Sequence, residues 1–164
     1  MVAFLDADDF WLQGKLSAQI DLIDRHNLSF SATGYKFDGT GVSVSPPVNV
    51  SRPTDAFLKR GIGTSTVVIS RSLLGMNRFR DIRYAQDIDF WYRLAMQPNF
   101  RYGGVAREYA VYSTSGSTKN KFEQFFYMYK ILRLNNVTYR LTCNVLLSYA
   151  FYGVARHWLG MNKK

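Results

Sequence analysis

Val2-Ala3-Phe4-Leu5-Asp6-Ala7-Asp8-Asp9-Phe10-Trp11 decides how this chain is read. A short apolar run ends in three carboxylates, the pattern of a buried strand whose C-terminal end reaches the surface. In α/β sheets, ligands sit at such strand ends. Asp6 and Asp8 are one residue apart, so a turn leaving the strand can aim both at one ligand. Carboxylate oxygens hold hard cations such as Mg²⁺ or Mn²⁺, and the cation in turn holds a diphosphate. The same triplet also reads as a solvated turn, and Asp9 alone reads as an N-cap of the helix that follows.

Downstream, Leu12, Leu16, Ile20 and Ile23 recur at helical spacing and predict an amphipathic helix from Trp11 to about His26. Leu28 to Tyr35 alternates apolar and polar residues, a half-buried strand, and Gly39 to Pro53 is rich in loop residues. Gly61-Ile62-Gly63 leads into a β-branched run, Thr64 to Ile69, read as a strand. Asp87 opens a helix with Trp91 and Leu94 on one face. Tyr102 to Tyr112 reads as a strand, Ser113 to Thr118 as a loop, and the remainder as two helices parted near Asn135-Asn136.

The 164 residues, 47% hydrophobic and 16% aromatic, suffice for one core and exclude a disordered chain. A single cysteine, Cys143, excludes an internal disulfide and a multi-cysteine zinc site, and suits a reducing compartment. The first residues lack the pattern of a secretory signal, so the chain is expected to be cytoplasmic. The net charge of +9 is carried beyond residue 60. From Lys119 onward, eight Lys and Arg stand against the single acid Glu123, interleaved with aromatics. Such a mixture suits an anionic membrane surface. The longest uncharged stretch, between Arg140 and Arg156, falls short of the roughly 20 residues of a spanning helix. Peripheral attachment to the inner face of the cell membrane is therefore expected, with the first helix of this region packing on the sheet and Leu141 to Leu159 lying on the bilayer. Nucleic acid is not expected as a partner, because no nucleic-acid-binding motif accompanies the charge.

The opening segment resembles the Asp-x-Asp region of family 2 glycosyltransferases: apolar strand, Leu-Asp-x-Asp-Asp, an aromatic or apolar residue, then Trp. A second segment, Ala85-Gln86-Asp87-Ile88-Asp89-Phe90-Trp91-Tyr92-Arg93-Leu94, resembles that family's Glu-Asp-x-Asp-aromatic-Trp-x-Arg-Leu, with Gln86 in place of the glutamate. The resemblance implies that Asp6 lies against the ribose or diphosphate of a nucleotide-diphosphate sugar and that Asp8 coordinates Mg²⁺ or Mn²⁺. It also implies that Asp87 is the general base toward the acceptor hydroxyl in an inverting transfer. The bland reading of Asp87 is a helix cap; for Asp89 it is an ion pair with Arg93 at i+4. Thr64 and Ser65 fall where relatives carry small hydroxyl residues, bordering the acceptor. Ser113 stands where many relatives have Arg, so Lys119 or Lys121 would have to face the leaving diphosphate. A Gln-x-x-Arg-Trp motif is absent, which sets the chain apart from processive synthases.

The fold implied is α/β, a GT-A-like, Rossmann-like mixed sheet with flanking helices, truncated at its N-terminus and followed by C-terminal helices. The division expected is a partial catalytic domain, 1–118, and a basic aromatic helical tail, 119–164. The implied activity is transfer of a sugar from a nucleotide-diphosphate donor to a glycan or lipid-linked acceptor in cell-surface polysaccharide synthesis. The alternative is a non-catalytic remnant that docks on a membrane or on other transferase subunits.

Overall fold

In a computed structural model, residues 1–48, 57–58, 62–114, 121–148 and 150 are described. The strands are β1 (Val2–Ala3), β2 (Phe10–Trp11), β3 (Phe30–Phe37), β4 (Ser43–Val44), β5 (Val67–Ile69) and β6 (Tyr102–Tyr112). The helices are α1 (Lys15–His26), α2 (Arg71–Leu74), α3 (Gln86–Ala95) and α4 (Lys121–Leu134), and residues 139–148 are also helical. Among the described residues one mixed sheet runs β1-β5-β3-β6-β2, with β4 on β3.

The central strand β3 runs parallel to β6 and antiparallel to β5. Its pairing with β6 shifts register on either side of Gly34. A Cβ there would lie 2.6 Å from the Ala106 carbonyl oxygen, so only glycine lets the two backbones close at this irregularity. The half-buried alternation expected for this strand is not observed, since Phe30 to Gly34 are all buried. With strands on both sides and layers above and below, polar Ser31 and Thr33 are enclosed along with Phe30 and Ala32.

The first helix begins later than its periodicity predicts. Phe10 and Trp11 pair with Val111 and Ala110 of β6, and the Leu12 N–H donates to the Tyr109 carbonyl at 2.8 Å. The chain is thus held in the ladder until Gly14, at φ 88°, turns it into α1. The inward face also differs from expectation: Leu16 and Ile20 are 40% and 39% exposed, whereas Lys15, Gln19 and Ile23 are buried. The Gln19 amide donates to the Ser31 and Thr66 carbonyls, each at 3.1 Å. A leucine at that position could offer those carbonyls nothing. Thr64–Thr66, read as strand, forms a 3-10 turn that feeds the shorter β5.

One core cluster gathers Phe30, Phe57, Val67, Ile69, Trp91 and Leu94, fixing α3 against the sheet. Phe4, at the end of β1, meets the Trp91 ring edge-on at 5.3 Å. A second cluster joins Leu58 and Tyr92 to Met128, Leu132, Val137 and Val145, so α4 and the helical segment 139–148 lie on α3.

Candidate active site

The acidic stretch leaves β1 as a tight turn, with the Asp9 N–H donating to the Asp6 carbonyl at 3.2 Å. Ser65, in the 3-10 turn that leads into β5 and fully buried, holds that turn of the acidic stretch through its hydroxyl, its carbonyl and its N–H. Its hydroxyl accepts the Asp6 N–H at 3.0 Å and donates to Asp9 Oδ2 at 2.6 Å. Its carbonyl accepts the Trp11 indole N–H at 2.7 Å, and its own N–H donates to the Tyr112 hydroxyl oxygen at 3.0 Å. Asp9 Oδ1 accepts the Ser113 N–H at 3.1 Å. Both oxygens of Asp9 are therefore committed within the protein.

Asp9 does not cap a helix, because α1 starts at Lys15 behind Gly14. Its carboxylate joins the acidic turn to the 3-10 turn before β5 and to the residue that follows β6. Ser65, expected beside an acceptor, is spent on this scaffold, while Thr64 is half-buried beside it. Tyr112 is half-buried against Gly63, where an added Cβ would collide with the phenol. Burial pushes the Tyr112 hydroxyl above its ordinary range, keeping it neutral.

Trp11 is itself propped from below. Lys15 is 1% exposed, donates from Nζ to Gln19 Oε1 at 2.8 Å, and places its ammonium 4.3 Å from the Trp11 ring centroid. Burial lowers its pKa to about 8. Neither the Tyr112–Ser65–Trp11 bracket nor the role of Lys15 is legible in the sequence. The contacts span more than forty residues, and a lysine on a helix reads by default as solvated.

Asp6 and Asp8 remain on the exposed side of the turn. Partial burial, then repulsion from Asp9 and Asp8, raises the Asp6 pKa above its ordinary value. Crowded carboxylates of this kind fit a hard cation, which relieves their repulsion. Among the described residues no group of three or more His, Cys, Asp or Glu is arranged to hold a metal ion. A cation held by Asp6 and Asp8 would have to take its remaining ligands from a diphosphate and water.

The second motif occupies the start of α3. Ala85, at φ 53°, precedes the helix without a side-chain cap, and Asp87 and Asp89 fall in the first turn, where the helix dipole favours carboxylates. The two differ sharply. Asp89 is fully buried, accepting from Arg80 Nη1 at 2.8 Å, Arg93 Nε at 3.0 Å and Asn135 Nδ2 at 2.7 Å. The expected Arg93 pair is present, and Arg80 and Asn135 complete a set that ties the end of α4 to α3. Asp87 is half-buried on the same turn. Trp91 links this helix to the acidic turn's surroundings, donating from Nε1 to the Ile62 carbonyl at 3.2 Å and packing on Phe4. The structure therefore brings Asp6, Asp8, Asp9 and Ser65 into one cluster and braces the Asp87 helix against the same strand. Lys119, Gly61 and residues 151–164 lie outside the described residues.

No protein-family model matches the chain. It is 29% identical over 163 residues to an Escherichia coli UDP-Glc:alpha-D-GlcNAc-diphosphoundecaprenol beta-1,3-glucosyltransferase, WfgD, covering 95% of this chain and 63% of that protein. It is 35% identical over 107 residues to TuaG of Bacillus subtilis (strain 168), named for teichuronic acid biosynthesis, covering 62% of this chain and 42% of that one. Among solved structures, S. aureus TarS 1–349 superposes with a TM-score of 0.59 at 16% identity, over 95% of this chain and 48% of that chain. A complex of the same fragment with UDP-GlcNAc superposes equally well, with a TM-score of 0.59 at 18% identity, over 91% of this chain and 47% of that chain. The chain spans less than two thirds of the length of these relatives. It is thus a relative of bacterial glycosyltransferases, in keeping with its resemblance to family 2, and carries part of a GT-A-like fold.

Proposed function

We propose that this chain carries the cation–diphosphate turn and the acceptor base of an inverting glycosyltransferase. It would move a sugar from a uridine-diphosphate donor to a lipid-linked glycan acceptor in surface polysaccharide synthesis. The observation that carries the reading is the Ser65 bracket, which commits Asp9 inward and leaves Asp6 and Asp8 facing out. Support for the donor class comes from the UDP-GlcNAc complex of the structural neighbour, and for the acceptor class from the name of the Escherichia coli relative.

In this reading Asp8 coordinates Mg²⁺ or Mn²⁺ and Asp6 faces the ribose or diphosphate. When bound, the cation neutralises charge that develops on the departing diphosphate. Asp87 accepts the proton of the acceptor hydroxyl as its oxygen bonds to the anomeric carbon, while the bond from that carbon to the diphosphate oxygen breaks on the opposite face. Asp89, buried and triply bonded, is excluded from that role by its surroundings. Lys119 is proposed to face the leaving group. The protein would work in the cytoplasm, peripherally on the inner face of the membrane, beside other transferase subunits.

Titration calorimetry tests the cation site. Mn²⁺ should bind only with UDP present, and Asp8→Ala should abolish that binding in a chain that unfolds at the parental temperature. Equal Mn²⁺ affinity in the parent and Asp8→Ala refutes the assignment. Failure of the parent to bind UDP with Mn²⁺ favours the reading as a non-catalytic interaction module.

A further inference from the structure

Helix α4 is apolar on two sides, which an ordinary surface helix is not. Its inner side, Met128, Ile131 and Leu132, is buried, with Met128 and Leu132 packed on α3 and the helical segment 139–148. Its outer side repeats at positions 126, 129, 130, 133 and 134, the spacing of a single helical face. There Phe126, Tyr129 and Leu134 are 57%, 45% and 44% exposed, and Lys130 and Arg133 are exposed between them. Three large apolar side chains thus share one face with two cations set among them, a contiguous group rather than single scattered hydrophobics.

The helix is held rigidly in this orientation. Asn135 donates to Asp89 Oδ1 at 2.7 Å, and Tyr127 meets Tyr84 edge-on with ring centroids 4.6 Å apart. Tyr84 lies three residues before Asp87, so α4 flanks the start of the helix carrying the candidate base. In the helical segment 139–148, Thr142 and Val145 are buried while Tyr139 and Leu147 are 80% and 68% exposed, and its expected continuation to Leu159 lies outside the described residues from 151 onward. No helix among the described residues is long and apolar enough to cross a membrane.

We propose that the outer face of α4, with Lys130 and Arg133 set among Phe126, Tyr129 and Leu134, seats on an anionic lipid surface. Aromatic and leucine side chains enter the headgroup boundary, while the two cations among them extend on long side chains to lipid phosphates. Such seating would hold the Asp87 end of α3 near a lipid-linked acceptor. It deepens the transferase reading and rests on it for its purpose, though lipid binding itself needs no catalysis.

Flotation with vesicles of phosphatidylglycerol and phosphatidylcholine tests the proposal, using the whole chain. Lys130→Gln with Arg133→Gln should weaken binding roughly 30-fold, and added salt should weaken binding of the parent chain. Phe126→Ser with Tyr129→Ser should abolish binding to the same vesicles. As a conservative reporter, Phe126→Trp in a chain carrying Trp158→Phe should show emission that is blue-shifted and bromolipid-quenched on binding beyond that of Trp158→Phe alone. The proposal is overturned if the parent chain ignores anionic vesicles, or if the indole emission of the Phe126→Trp chain does not respond to them. It is also overturned if the charge-neutralised chain binds like the parent, or if removing residues 151–164 alone abolishes binding. Parental self-association that these substitutions abolish, without lipid binding, would assign the face to a second copy and overturn the lipid claim. Loss of UDP binding with vesicle binding intact would sink the transferase reading alone.

Discussion

Ser65→Ala is the perturbation that most directly probes the acidic turn. It deletes one hydroxyl that accepts the Asp6 N–H at 3.0 Å and donates to Asp9 Oδ2 at 2.6 Å. A hydrogen bond to a carboxylate contributes about 1.5–3 kcal/mol and a neutral one about 0.5–1.5 kcal/mol. Both bonds are only partly buried, so water restores some of the loss and a net cost of about 2–3 kcal/mol is expected. In a chain of this size that lowers the unfolding midpoint by roughly 5–10 °C. Differential scanning calorimetry of Ser65→Ala, Asp9→Ala and the double variant supplies the assay. The two single losses should overlap, leaving a coupling of about 1.5–2 kcal/mol in the cycle. A Ser65→Ala cost below about 0.5 kcal/mol, the range of ordinary surface changes, would refute the bracket as a determinant of the turn.

Asp89→Asn should cost about 3–5 kcal/mol in denaturant unfolding, because it leaves the Arg80 and Arg93 cations beside a neutral amide, whereas Asp87→Asn should stay within about 1 kcal/mol of the parent. Since Asp6 has a raised pKa in the folded state, its contribution to stability is present at acid pH and lost as pH rises through that pKa. Asp6→Asn should therefore be slightly more stable than the parent at neutral pH, by about 0.5 kcal/mol or less, with the difference closing in acid. Lys15 behaves in the opposite sense: with its folded pKa lowered to about 8, the unfolded chain binds the extra proton above that pH. Parental stability should climb from about pH 8 toward the ordinary lysine range, and urea titrations of Lys15→Met should lack that climb.

The elements legible in the sequence are those with local causes. Tyr102–Tyr112 matches its predicted span because its length and composition suit a strand crossing the whole sheet. The start of α3 and the turn at Asn135-Asn136 are likewise local signals. The onset of α1 departs from its periodicity because Phe10 and Trp11 are drawn into pairing with β6, a partner about a hundred residues away. The inward face of α1 departs as well, because periodicity favours Leu16 and Ile20 while backbone carbonyls of the sheet select the Gln19 amide. At the site, Asp6 and Asp8 stand out as a motif. That Asp9 is a brace and Ser65 its anchor depends on contacts among residues 9, 65 and 113, which no sequence window contains.

The most direct test of the account is sugar transfer by the complete gene product that contains this chain, with a UDP-sugar donor, a lipid-linked acceptor and Mn²⁺, comparing parent and Asp87→Asn. The account predicts a product inverted at the anomeric carbon. It also predicts that turnover in Asp87→Asn falls roughly 10²- to 10⁴-fold, with UDP affinity and unfolding temperature unchanged. Near-parental turnover in Asp87→Asn, or a product that retains the donor's anomeric configuration, would contradict it.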